Sequence, residues 1–147
     1  MDERTVKINI KSASGRIPSY KTEGAAGLDL EAYLKEDVTI FPGKTALVST
    51  GIRIELPDGY EAQVRARSGL AAKSGIGLVN GVGTIDSDYR GEIKVILINW
   101  GEEPVTIKDG DRIAQMVISR YEKAVLISAG ALHGTGRDEG GFGHTGI

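Results

Sequence analysis

The stretch from Gly77 to Ile93, GLVNGVGTIDSDYRGEI, holds the densest chemistry in the chain. Asn80-Gly81 is a strong turn signal, and apolar Leu78, Val79, Val82 and Ile85 flank it. A type I′ hairpin turn needs positive φ at both central residues, which Asn-Gly supplies most readily. Carboxylates follow at Asp86 and Asp88, then Tyr89 and Arg90. Acidic residues disfavour strands and gather at their ends. The run predicts a β-hairpin whose rim carries Asp86, Asp88, Tyr89 and Arg90. Its plainer explanation is a solvated turn without chemistry.

Four further stretches carry chemistry-bearing groups. Ala26-Gly27-Leu28-Asp29-Leu30 places a carboxylate inside an apolar strand, where an edge-strand Asp facing water is the plain alternative. Arg67-Ser68-Gly69 opens the one predicted helix. Free N–H groups at a helix start, an arginine and a hydroxyl make an anion site, against simple capping by Ser68. Asp111-Arg112-Ile113-Ala114-Gln115 begins a strand, and Arg112 is expected to close a salt bridge at its end. From Gly130 the chain reads GALHGTGRDEGGFGHTGI, with seven glycines and no strand pattern. Such a segment buries too little to fold alone and predicts a flexible arm. It sets Arg137, Phe142, His144 and Thr145 closely among glycines. Together these elements point to a phosphorylated ligand, a hard cation and a carboxylate that activates water.

Several familiar patterns fail. Gly43-Lys44-Thr45 resembles the end of a P-loop, but Val38 stands where its first glycine belongs and Pro42 interrupts it. Residues 141–146 spell GxGxxG, yet no strand precedes them, so a dinucleotide fold is excluded. Successive N–H groups of such a loop still wrap phosphates. No His-Glu-x-x-His or zinc-ligand spacing occurs.

Alternation at period two builds the frame for these groups. Val6, Ile8 and Ile10 alternate with polar residues, as do Ile52, Ile54 and Leu56, and Tyr60, Ala62 and Val64. Each set predicts a half-buried strand. Ile93 to Trp100 is more continuously apolar and predicts a strand buried on both faces. Val105–Ile107, Ile113–Ile118 and Val125–Ile127 are further strand candidates. Pro42-Gly43, Pro57-Asp58-Gly59 and Asp109-Gly110-Asp111 supply turns between the runs. Many short strands with regular turns predict an all-β sandwich or barrel. Ser68 to Ser74, ending at Gly75, is the single helix candidate.

The chain has 147 residues, a formal net charge of −2, no cysteine and 21 glycines, about twice ordinary glycine usage. The length suits one domain. The charge balance argues against a nucleic-acid partner. Without cysteine there are no disulfides and no thiolate chemistry, which fits a reducing compartment. No run reaches membrane-spanning length, and MDERTVKINI is too polar for a signal peptide, so the cytoplasm is the expected location.

Five motifs in order and register make the chain resemble the trimeric dUTP pyrophosphatase (dUTPase) family over nearly its whole length. They are AGLDL (26–30), RSGLAAK (67–73), NGVGTIDSDYRGEI (80–93), GDRIAQMVI (110–118) and RDEGGFGHTG (137–146). The resemblance implies a β jelly roll that forms a homotrimer with active sites shared between subunits. A core over 1–129 would carry an arm over 130–147 that closes on a neighbour's site. Extended, those 18 residues reach roughly 60 Å. It also implies Mg²⁺-assisted hydrolysis of dUTP to dUMP and pyrophosphate, which keeps uracil out of DNA and supplies dUMP for thymidylate synthesis.

By the same resemblance, Asp86 is the general base that orients water toward the α-phosphorus. The backbone around Asn80 and Gly83 reads the uracil edge, and Tyr89 lies on the deoxyribose face and excludes a ribose 2′-hydroxyl. Thr84, Ile85 and Lys94 line the nucleoside pocket. Arg67, Ser68, Gly69 and Gln115 take the phosphates, and Asp29 reaches Mg²⁺ through water. From the arm, Phe142 stacks over uracil, while Arg137, Gly143, His144 and Thr145 hold the terminal phosphate. Two departures stand out. Ala66 occupies a position usually Pro, and His144 one that is often Ser, which implies substrate binding sensitive to pH near neutrality. The competing readings are a dCTP deaminase, which needs a catalytic Glu beside the base where this chain has Ile85-Asp86, a non-catalytic nucleotide sensor, and a structural β-sandwich.

Overall fold

The computed structural model describes residues 5–146. Ten strands and one short helix follow in the order β1 (Asn9–Ser12), β2 (Gly27–Glu31), β3 (Val38–Ile40), β4 (Thr45–Glu55), β5 (Tyr60–Arg65), α1 (Ser68–Ser74), β6 (Ile76–Leu78), β7 (Val82–Ile85), β8 (Ile93–Asn99), β9 (Val105–Ile107) and β10 (Arg112–Arg120). They form two four-stranded sheets, β1-β4-β8-β6 and β2-β10-β5-β7, and a β3-β9 ribbon. All pairings are antiparallel.

Period-two patterning sends one face of each sheet inward. Val48, Ile52, Ile54, Ile76, Val95 and Leu97 from one sheet share an apolar core with Leu30, Ala62, Val64, Ala114 and Met116 from the other. Each fully buried Leu or Ile contributes on the order of 1.5–3 kcal/mol through lost apolar hydration. The one fully buried side-chain amide of this core region, Asn99, is satisfied on every side. Its Nδ2 donates to the carbonyls of Ile40 (2.9 Å) and Glu103 (2.7 Å), and its Oδ1 accepts from the Gly101 N–H (2.8 Å). Buried polar groups are tolerated on that condition.

Four sequence expectations change. Asn80-Gly81 does not close a hairpin: β6 pairs with β8, whereas β7 pairs with β5 in the other sheet. Only Gly81 has a positive φ (68°), so the two left-handed residues of a type I′ turn are not present. The turn instead carries the chain from one sheet to the other. Strand β8 is buried on one face only. Lys94 and Ile96 point outward, Trp100 just beyond the strand is 65% exposed, and Leu47 opposite Ile96 is 63% exposed. Among the described residues no second layer covers that apolar strip. Val125–Ile127 is not a strand and lies exposed, with no pairing edge beside it. The N-terminal strand begins at Asn9, so Val6 and Ile8 lie before it, half-buried. The helix falls where expected and ends on left-handed Gly75.

The loop between β1 and β2 is tied down by Arg16. Its guanidinium meets Asp109 (3.0 Å) and Glu31 (2.8 Å), and Asp109 also accepts the Leu34 N–H (3.0 Å). The Arg16 hydrogen bond, and then the Leu34 N–H, hold the Asp109 carboxyl below its ordinary value of 3.8. A depressed carboxyl stabilises the fold above its unfolded pKa and loses that contribution as pH falls through the folded value. Both partners are partly exposed, so the effect is small. We predict that Asp109→Asn lowers Tm at pH 7 by no more than about 3 °C, and that the difference from wild type shrinks as pH falls below 3.8 and the Asp109 carboxyl takes up its proton. A difference that persists at low pH would contradict the assignment.

Candidate active site

A cleft of about 580 Å³ opens where the chain crosses between the sheets. That volume is within the range of small-ligand pockets. Val64 and Gly83 to Ile85 line it from one sheet, and Leu47, Arg53, Leu78 and Ile93 to Ile96 from the other. Asn80, Asp86, Tyr89 and Glu92 complete it from the connecting loops. Of the residues singled out in the sequence, Asn80, Gly83, Thr84, Ile85, Asp86, Tyr89 and Lys94 therefore stand around one space.

The crossing itself is compact. The Gly81 N–H donates to the Leu78 carbonyl (3.0 Å), and the Val82 N–H donates to the Asn80 carbonyl (2.7 Å). The Asn80 amide folds against Gly83, where a Cβ would stand 3.2 Å from its Nδ2. Amide and backbone polar groups are thus presented together at one end of the cleft.

The rim from Asp86 to Glu92 is fastened at several points. The Tyr89 N–H donates to the Asp86 carbonyl (3.1 Å) and closes one turn. Arg90 donates to the carbonyls of Ser87 (2.6 Å) and Tyr89 (3.1 Å) and pairs with Glu55 (3.6 Å). The Tyr89 hydroxyl donates to the Glu92 carbonyl (2.9 Å). These bonds fix the backbone from which the Asp86 carboxylate and the Tyr89 ring reach the cleft. The sequence reading placed Arg90 on the rim but gave it no duty. It missed Arg53 and Glu92 as cleft residues. Glu92 Oε2 is buried without a hydrogen-bond partner among the described residues.

A second group gathers where β2, β5 and β10 meet. Asp29, only 14% exposed, receives Arg67 Nε at one oxygen (3.2 Å) and Arg112 Nη1 at the other (3.2 Å). Arg67 also donates to the Arg112 carbonyl (3.1 Å). Asp29 is turned onto arginines rather than water, and Arg112 forms the expected strand-end ion pair with it. Gln115 Nε2 donates to the Ala66 carbonyl (3.0 Å), and Ala66 packs against the core. Arg67 takes the N-cap position without a side-chain bond, and Ser68 is already helical, so Ser68 does not cap. Ser68 and Gly69 begin the helix beside this arginine pair.

The arm makes a third group. From Gly130 on, the hydrogen bonds of the described residues are internal, as between Arg137 Nε and the Gly140 carbonyl (2.6 Å) and between the His144 N–H and the Gly141 carbonyl (3.0 Å). Phe142 has φ 47° and a fully exposed ring. Arg137, Phe142, Gly143, His144 and Thr145 do not line the cleft. Among the described residues, no group of three or more His, Cys, Asp or Glu side chains is placed to hold a metal ion. Both Asp29 oxygens are taken up by arginines.

An all-β fold of two four-stranded antiparallel sheets, with a cleft between them and Arg67 and Arg112 gathered on Asp29 beside one of them, is a jelly roll. The family model for dUTPase matches residues 13–146. A deoxyuridine 5'-triphosphate nucleotidohydrolase of Thermoanaerobacter sp. (strain X514) is 59% identical over 131 residues, covering 89% of this chain and 88% of that protein. The solved structure of Staphylococcus bacteriophage 80alpha dUTPase with dUPNHPP superimposes with a TM-score of 0.83 at 25% identity, covering 97% of this chain and 100% of that one. A dUTPase from phage phi11 of S. aureus, described for the coordination of a structural Mg(II) ion, matches with a TM-score of 0.77 at 21% identity, over 86% of this chain and 98% of that one. The chain belongs to the dUTPase family.

Proposed function

We propose that this chain hydrolyses dUTP to dUMP and pyrophosphate, with Asp86 as the general base. The observation that carries this reading is the single cleft that joins Asn80, Asp86 and Tyr89 in a chain of the dUTPase family. Uracil meets the Asn80–Gly83 turn, whose fixed donors and acceptors mismatch cytosine and whose close packing leaves no room for the thymine methyl. Mispaired buried polar groups discriminate far better than a missing methylene. Thr84, Ile85 and Lys94 line the nucleoside, and Tyr89 lies against the deoxyribose.

The triphosphate then runs to Arg67, Ser68, Gly69 and Gln115. Asp86 accepts a proton from water as the water oxygen bonds to the α-phosphorus. The bond from that phosphorus to the bridging oxygen breaks, and pyrophosphate leaves. Positioning and charge neutralisation dominate such transfers. Mg²⁺ would be held mainly by the triphosphate, with Asp29 reaching it through water, and would supply neutralisation of charge on the leaving group. Arg67 adds fixed positive charge, oriented by Asp29.

Nucleoside cleft, arginine group and arm do not meet within one chain. A homotrimer with shared sites accounts for this separation. The exposed strip of Leu47 and Ile96 borders the cleft, and apolar surface of this kind marks contact with another copy. In this reading the arm, 130–147, is a unit distinct from the 1–129 core. It closes over a neighbour's site, with Phe142 on uracil and Arg137, Gly143, His144 and Thr145 on the terminal phosphate. Closure excludes bulk water. Among the described residues no helix is long and apolar enough to cross a membrane, and a cytoplasmic location suits this nucleotide substrate.

Asp86→Asn should lower turnover of dUTP about a hundredfold or more while affinity stays within about tenfold, because it removes the base and keeps the phosphate grip. Wholesale loss of binding would instead give Asp86 a structural role. Truncation after Gly136 should preserve the oligomer and remove most activity. A truncated protein with wild-type turnover would show that the arm does not complete the site.

A further inference from the structure

The rim contains a glycine that neither its backbone nor the cleft lining explains. Gly91 does not have a positive φ, so its backbone conformation is open to any residue. It does not line the cleft. What it provides is space. A Cβ at Gly91 would collide with the Tyr89 hydroxyl, and would stand 2.5 Å from Cζ and 2.9 Å from Cε2 of that ring. The ring lies folded across Gly91, and its hydroxyl reaches the Glu92 carbonyl at 2.9 Å.

Tyr89 is therefore held at both ends. Its backbone is fixed by the Asp86 carbonyl and by Arg90, and its hydroxyl by the Glu92 carbonyl. Only a residue without a side chain at 91 permits this posture. Resting on the function proposed above, we propose that Gly91 is the positioning residue for sugar selectivity. It lets Tyr89 lie back against the rim, where the Glu92 carbonyl locks the ring as a rigid wall beneath the sugar. A wall rejects one added hydroxyl only if it does not yield, since an apolar surface discriminates weakly against such an isostere. An alanine at 91 keeps the backbone and meets the Tyr89 ring rather than backbone, so it displaces the ring and leaves the fold.

The test is the ratio of kcat/KM for dUTP to that for UTP, read by pyrophosphate release. The proteins are wild type, Gly91→Ala, Tyr89→Phe, Tyr89→Ala and the double variant Gly91→Ala/Tyr89→Ala. Gly91→Ala should lower the ratio by about tenfold, chiefly by lowering KM for UTP. Tyr89→Phe keeps the ring and loses the lock, so the ratio should fall by about fivefold, the worth of one hydrogen bond. In the Tyr89→Ala background the Gly91 substitution should change the ratio less than about twofold, because it acts through the ring. Equal losses for dUTP and UTP, or a ratio that falls further without the Tyr89 ring, would overturn the proposal and leave Gly91 a structural role. Absence of pyrophosphate release from dUTP by the wild type would overturn the function on which it rests.

Discussion

The cleft exists because one residue lets the chain change sheets. At Gly81 a single left-handed conformation (φ 68°) follows the Leu78–Gly81 turn and sends β7 to pair with β5 while β6 stays on β8. A two-strand hairpin there would have zipped both strands into one sheet and closed the space. The crossing instead leaves the two sheets parted, with the Asn80 amide at the mouth and β7 leading directly into the Asp86 rim. Core packing keeps the opening from collapsing: Val64 and Ile93, one from each sheet, are buried in the shared core and also form the floor of the cleft. Asn80 and Asp86 thus depend on the same backbone connection.

Charge is divided with similar economy. Asp29 holds Arg67 and Arg112. A largely buried carboxylate needs such partners, and in return it fixes two long side chains. Asp86, in contrast, stands on the cleft wall. Two carboxylates that look alike in sequence are assigned to different work by what surrounds them.

Most of the strands and the single helix were legible in the sequence because burial on one face imposes period two and because glycine and proline punctuate it; β3 was not picked out. Ile52, Ile54 and Leu56 are buried as their spacing predicts, and Arg53 and Glu55 between them are exposed. The cleft group was legible too, since Asn80 to Tyr89 are neighbours along the chain. What stayed hidden was set by distant partners. Asn-Gly carries no mark of which sheet its flanking strands will join. The apolar run in β8 looks the same whether its outer face meets another layer of this chain or stays bare. The pairing of Asp29 with Arg67 and Arg112 depends on three strands meeting, and the role of Gly91 depends on where the Tyr89 ring falls.

The most direct measurement is pyrophosphate release from dUTP, dTTP, dCTP and UTP in parallel, each with and without Mg²⁺. Release from dUTP alone, stimulated by Mg²⁺, is the result the proposed reading predicts. Comparable release from all four would contradict the assignment of Asn80 and Tyr89 as base and sugar readers. No release from any would contradict hydrolysis itself and leave a protein that binds nucleotides without cleaving them.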